Sequence, residues 1–276
     1  MKVGMLTAPF GNDDMNTVLD FAAEAGFDCL EIRVPSKHCD LDNLDYNALQ
    51  DSVSEAGLEI SSLAAYVDIT NGDAAVREAN RAILSKALDA VEKLDCDVLC
   101  CMAGLPPAGK TREQCIVEDA APFYREFAKK AADKGVKLAM ENWYATNIRA
   151  LNQWEQIFNE VPAENFGLNF DPSHLAWQGI DYLYAVEKFA SRIFHTHAKD
   201  VEVNQPKLAW LGNQEMGWWR YVIPGFGDID WGVYCARLRR NGFNGVLSIE
   251  HEDGALGREE GFELGLGYLR LFADGS

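Results

Sequence analysis

Four short stretches of the chain each carry a side chain able to hold a metal ion or move a proton. They are Glu141 in VKLAMEN, Asp171 in FGLNFD, His197 in RIFHTHA and Glu250 in GVLSIEHE. Three carboxylates and one imidazole form a hard, mostly oxygen donor set. Crowded together, the carboxylates repel one another unless a cation compensates them. Manganese fits such a set, and magnesium, cobalt and zinc also accept it. The alternative is that Lys137, Lys199 and water satisfy the same carboxylates without a metal. Either reading requires the four side chains to meet, so the elements that carry them decide the matter.

Short apolar runs alternate along the chain with longer stretches of helical period. The candidate strands are residues 2–6, 29–33, 59–66, 97–103, 136–142, 166–171, 192–198 and 245–252. Helical patterns such as MNTVLDFAAEAG and REANRAILSKALDAVEKLD lie between them, and Gly26, Gly57 and Gly135 stand where a glycine ends a helix. Strands alternating with helices imply parallel βαβ units. Eight units of about 35 residues suit the α/β class and a (β/α)8 TIM barrel, one domain over residues 1–276. A doubly wound sheet would want a GxGxxG turn after an early strand, and TAPFGNDD is not one.

Alternation along barrel strands sorts side chains into interior and helix-facing sets. In VKLAME, Val136, Leu138 and Met140 face the helices and Glu141 faces in. In FGLNFD, Gly167, Asn169 and Asp171 face in. In RIFHTHAK, Phe194, Thr196 and Ala198 face out, leaving His195, His197 and Lys199 inside. In VLSIEHE, Ser248, Glu250 and Glu252 face in. The four candidate ligands then sit at the C-terminal ends of the last four strands, the face where barrel enzymes keep their active sites. His195, one inward step deeper than His197, is expected to support the site rather than ligate. Lys199, one step above, is placed to meet a substrate. His174 follows in FDPSHLAW at the same mouth, and Pro172 and Ser173 suit the turn that carries it. The connection over residues 200–228 holds three tryptophans, too apolar for a solvated linker, and is predicted to be a structured lid.

A formal net charge of −18 repels phosphate backbones and anionic lipid, so no nucleic-acid or membrane partner is expected. The seven cysteines are odd in number and lack a CxxC pair, as buried reduced thiols would be. No apolar run reaches the roughly 18 residues that span a bilayer. MKVGMLTAPFG lacks a signal-peptide pattern, and a cytoplasmic location is the expectation.

LAMENW, LNFDPSHLAW, FHTHAKD, PGFGDIDW and LSIEHED together resemble the sugar phosphate isomerase/epimerase group, the xylose isomerase-like TIM barrels. That group includes ketose 3-epimerases, inosose dehydratases and, more distantly, endonuclease IV. The resemblance implies that Glu141, Asp171, His197 and Glu250 bind one divalent ion. It implies that Glu141 and Glu250 move protons on a ketose or keto-sugar through a metal-stabilised enediolate. It also implies that His174 contacts the substrate and that Lys199 helps a developing oxyanion. Trp210, Trp218 and Trp219 are candidates for stacking on a sugar face, or else anchors of their own loop.

A lyase or dehydratase acting on a keto-sugar, inosose or 3-keto-glycoside would begin with the same proton abstraction and is the alternative. A non-catalytic sugar-binding barrel is a second. Trinuclear zinc chemistry of the endonuclease kind needs histidines at the ends of earlier strands, where EIRVPS, AAYVDI and CCMAG have none. Arg220 could meet an anion or merely a surface carboxylate. Without a Gly-rich phosphate loop after the seventh strand, a non-phosphorylated sugar is favoured. The resemblance is compatible with a homo-oligomer.

Overall fold

A computed structural model describes residues 1–273. Eight parallel strands close into a barrel: β1 (Lys2–Leu6), β2 (Cys29–Arg33), β3 (Glu59–Ala64), β4 (Val98–Met102), β5 (Lys137–Glu141), β6 (Phe166–Phe170), β7 (Ile193–Ala198) and β10 (Val246–Ile249). The order around the barrel is β1, β10, β7, β6, β5, β4, β3, β2. Two further strands, β8 (Asp200–Val203) and β9 (Trp219–Val222), form an antiparallel pair outside it. Local chemistry sets the helix ends. The Asp14, Asp45 and Asp73 carboxylates accept backbone N–H groups of the first turns that follow them. Gly26, Gly57 and Gly135 take φ values of 89°, 73° and 71°, the left-handed conformation that lets the chain turn back toward the next strand.

Two apolar layers follow from the alternation. Outward residues such as Leu30, Leu99, Leu138, Leu168 and Leu247 join a large core with Val18, Leu84, Trp154 and Phe262 from the surrounding helices. Inside the barrel, Leu6, Ala64, Val98, Cys100 and Ala139 form a small apolar floor. Phe194 departs from the predicted outward orientation. The β6–β7 register shifts between Leu168 and Asn169, so that Ile193 pairs with Leu168 and His195 with Asn169. Phe194 is the extra residue of this bulge, and its ring packs against the apolar floor. Gly167 leaves the necessary room, because a Cβ there would lie 2.6 Å from the Phe194 ring and 2.2 Å from the Arg192 carbonyl oxygen. Past the bulge the predicted alternation resumes, and His195, His197 and Lys199 are all buried.

The segment between β7 and β10 is ordered structure, as its apolar content required. Asp200, at the start of β8, ties it down. One carboxylate oxygen accepts the Gly225 N–H (3.0 Å) and the Trp231 indole N–H (2.8 Å), and the other accepts the Ile229 N–H (3.1 Å). All seven cysteines are buried and free. No helix among the described residues is long and apolar enough to cross a membrane.

Candidate metal centre

At the C-terminal mouth, one ligand-type atom from each of Glu141, Asp171, His197 and Glu250 lies within 4.8 Å of the others. They come from the ends of β5, β6, β7 and β10, which are neighbours in the barrel, so Glu141 and Glu250 stand at the two flanks. Asn142 clamps the first pair of strands: its amide donates to the Asp171 carbonyl oxygen and accepts the Asp171 N–H, both at 2.8 Å. Ser173 then occupies one carboxylate oxygen of Asp171, donating from its backbone N–H (2.8 Å) and its hydroxyl (2.6 Å). The other oxygen, Oδ2, points to the cluster.

Two of these atoms, Asp171 Oδ2 and His197 Nδ1, are buried without a well-formed hydrogen bond among the described residues, their nearest polar neighbours being Lys199 Nζ (3.2 Å) and Glu250 Oε2 (3.0 Å). Buried polar atoms are nearly always satisfied, and such exceptions ask for a missing partner. Around them Glu141, Asp171, Glu250 and Glu252 share one lysine, Lys199, whose Nζ lies 2.5 Å from Glu250, 3.2 Å from Asp171 and 3.3 Å from Glu252. A divalent cation fits this arrangement, because it would satisfy both orphaned atoms and offset the surplus negative charge.

The electrostatics are those of a compressed charge network. Burial pushes the Glu141 carboxyl up, but His174 and His197 outweigh it and hold it well below the usual carboxylate range. Burial opposes ionisation of Glu250 too, and Lys199 and His197 bring it below its ordinary value. Glu252 goes the other way, raised by burial. Burial disfavours charge on Lys199, yet Glu250, Asp171 and Glu252 raise it well above an ordinary lysine. Lys199 is 1% exposed. It reaches the carboxylates rather than open space, with its ammonium 4.5 Å from the centre of the Tyr221 ring.

His174 is buried beside the cluster, with Nε2 3.2 Å from Glu141 and Nδ1 2.6 Å from the Tyr221 hydroxyl. Tyr221 and Trp219 reach this side from β9. Trp219 stacks on Trp177 (4.5 Å between centroids, 14° between planes), and Tyr144 stands edge-on to both. An aromatic wall therefore rises from His174. Trp218 is buried and donates to the Glu215 carbonyl oxygen (2.7 Å), anchoring its own loop. Trp210 is 89% exposed on the helix Gln205–Leu211, and the structure does not bring it to the cluster. Arg220 pairs with Glu202 (2.6 Å) and Asp253 (2.8 Å), the bland outcome. Lys137 pairs with Asp97 at the opposite end of β5 and compensates none of these carboxylates.

His195 lies one layer deeper. Its Nδ1 is 3.1 Å from Asn169 Oδ1 and its Nε2 3.3 Å from the Ser61 hydroxyl. Burial drives its imidazole down to about 4, so it is neutral. Two residues of this layer escape a search of the sequence for ligands, Glu31 and Tyr66. Glu31 lies 3.1 Å from His197 Nε2, and the Tyr66 hydroxyl donates to Glu31 at 2.6 Å. The same alternation reveals Glu31, because Leu30 and Ile32 face the helices and leave it inside.

Comparison with known proteins agrees with this architecture. The chain is 26% identical over 309 aligned residues to the uncharacterized protein YfiH of Bacillus subtilis (strain 168), covering 98% of each chain. It is 29% identical over 142 residues to an inosose dehydratase of Mesomycoplasma hyopneumoniae (strain 7448), a match spanning 49% of this chain and 47% of the relative. Among solved structures, the IolI protein with a binding zinc atom superposes with a TM-score of 0.79 at 21% identity over 100% of both chains. L-ribulose 3-epimerase does so with a TM-score of 0.77 at 18% identity, over 99% of this chain and 94% of that one. At such identities the structural likeness establishes the fold. A family model matches residues 19–272, and with the closed eight-stranded barrel it shows that the chain belongs to the xylose isomerase-like TIM barrel family.

Proposed function

We propose that the protein is a divalent-metal-dependent epimerase or isomerase that moves a proton beside the carbonyl of a ketose or keto-sugar. The observation that carries this reading is the convergence of Glu141, Asp171, His197 and Glu250, with two buried atoms unsatisfied and a glutamate on each flank. These four residues would hold the ion, manganese being the best match to three carboxylates and one imidazole. A bound divalent cation supplies Lewis-acid stabilisation to a substrate oxygen on which negative charge develops.

The chain's own residues do the rest. One glutamate takes the proton from the carbon next to the carbonyl, and the electron pair passes to the carbonyl oxygen to give an enediolate. The opposite glutamate returns a proton to the other face of that carbon. The glutamate that abstracts must be ionised, a state the neighbours of both carboxyls favour, and the one that returns a proton must first take it up from solvent. His174, whose Nδ1 is fixed by Tyr221, would turn its Nε2 from Glu141 to a substrate hydroxyl. Lys199 keeps the carboxylates together at the enediolate side of the site, a positioning duty with more geometric support than direct contact with substrate. Trp219, with Trp177 and Tyr144, offers an apolar face for the sugar ring and shields the site from water.

The inosose dehydratase similarity favours a second reading, elimination from the same enolate. One experiment separates them: keto-sugars, inososes and 3-keto-glucosides are incubated with metal-loaded protein in deuterated water. One deuterium beside the carbonyl without loss of mass supports epimerisation or isomerisation. Loss of water or of an aglycone supports elimination. Conversion with no solvent deuterium would overturn both.

A further inference from the structure

A second group of ligand-type side chains lies just beneath the first: Glu31, Cys100 and His195 offer atoms within 4.8 Å of one another. Its chemistry speaks against a second ion. Both ring nitrogens of His195 have partners in Asn169 and Ser61. Neither oxygen of Glu31 is left over. Oε1 accepts the Tyr66 hydroxyl (2.6 Å), and both oxygens lie within 3.2 Å of His197 Nε2. Tyr66 already supplies a hydrogen to the carboxylate, and both carboxylate oxygens face His197 Nε2, so this ring nitrogen is the one aimed to donate into the contact. The other ring nitrogen, Nδ1, turns to the candidate metal centre, 3.0 Å from Glu250 Oε2, and is the one left to offer a lone pair to an ion there.

Tyr66 locks the carboxylate in turn. Its hydroxyl accepts from the Asn169 amide (2.9 Å) while donating to Glu31, and its ring meets His197 edge-on with centroids 5.9 Å apart. Asn169, Tyr66, Glu31 and His197 thus form a strut across the barrel from β6, past the end of β3, through β2, to β7. We propose that Glu31, braced by Tyr66, is a positioning residue that fixes the tautomer and ring direction of His197 for one metal ion, and is not a ligand of a second. The inference rests on the metal centre proposed above. A carboxylate behind a ligating histidine fixes its orientation and raises its basicity, and its loss weakens metal binding ten- to a hundredfold.

The test uses the full chain, stripped with chelator and titrated with Zn2+ by calorimetry, with metal content measured by mass spectrometry and imidazole nitrogens read by 15N NMR. The wild type is expected to bind one ion, with the His197 Nε2 proton present in the loaded state. Glu31→Gln should keep one ion per chain at an affinity ten- to a hundredfold weaker, and Tyr66→Phe should weaken it by a smaller factor. Circular dichroism of the stripped proteins checks that both variants fold, and Glu31→Asp should recover part of the affinity. Two ions in the wild type falling to one in Glu31→Gln would overturn the proposal by making Glu31 a ligand. Unchanged affinity and an unchanged His197 tautomer in Glu31→Gln would overturn it while leaving the metal centre intact. No ion in the wild type would overturn both.

Discussion

Lys199→Met removes a charge at nearly constant volume from the most congested point of the site. Lys199 is 1% exposed, and its ammonium lies 2.5 Å from Glu250 and 3.2 Å from Asp171. The Glu250 and Asp171 side chains are 13% and 0% exposed, so neither recovers its hydration when the lysine goes. Removing one partner from a buried charge network costs about 3–5 kcal/mol. The half-exposed Glu252 adds no more than about 1 kcal/mol. Against a typical total of about 5–15 kcal/mol, the stripped variant folds but with much reduced stability.

The pH dependence follows from the two shifts. Glu250 has a folded pKa below its unfolded value, so its contribution is present above about pH 4.3 and lost as pH falls through the lower folded value. Lys199 has a raised folded pKa, so its contribution is complete below about pH 10.4 and fades as pH rises through the folded value. The gap between wild type and variant should therefore be full at pH 7 and narrow below about pH 4. Urea unfolding in chelator, followed by tryptophan fluorescence at both pH values, measures it. Added Zn2+ should stabilise the variant more than the wild type, because the cation replaces the missing charge. A gap under about 1 kcal/mol, or one equal at both pH values, would refute the charge-compensation argument.

Other outcomes follow from the same geometry. Glu141→Gln and Glu250→Gln should each lower kcat by about 10²–10⁴, the usual worth of a general acid or base, in steady-state assays of the active substrate. Trp219→Ala should raise KM by about three- to tenfold with little change in kcat, as a stacking wall worth about 0.5–1.5 kcal/mol implies. Trp210→Ala, at an exposed position, should leave both unchanged. Gly167→Ala should destabilise the barrel by about 1–3 kcal/mol in urea unfolding, because its Cβ would meet both the Arg192 carbonyl and the Phe194 ring.

The barrel was legible because two periodicities dominate the chain. Period-two strands and period-3.6 helices alternate cleanly, and the strand limits from the pattern fall within a few residues of those observed. Alternation also placed Glu141, Asp171, His197 and Glu250 at one mouth, since it needs only local information. It failed at Phe194, where a one-residue bulge reverses the phase and only the packing of Phe194 against Gly167 exposes it. Glu31 was within reach of the same rule, but scanning the early strands for histidines passed over a carboxylate that serves another ligand. Trp210 shows a different limit. An aromatic-rich insertion announces structure, but which tryptophans turn inward depends on how β8 and β9 pair, and no local pattern carries that.

The central claim is that four residues from four adjacent strands make one cation site. Its most direct test is the metal stoichiometry and affinity of the wild type beside Asp171→Asn and His197→Gln, neither of which removes a proposed proton-transfer group. The account predicts one divalent ion per chain, with binding sharply weakened in both variants. A wild type that binds no ion, or variants that bind as tightly as the wild type, would contradict it.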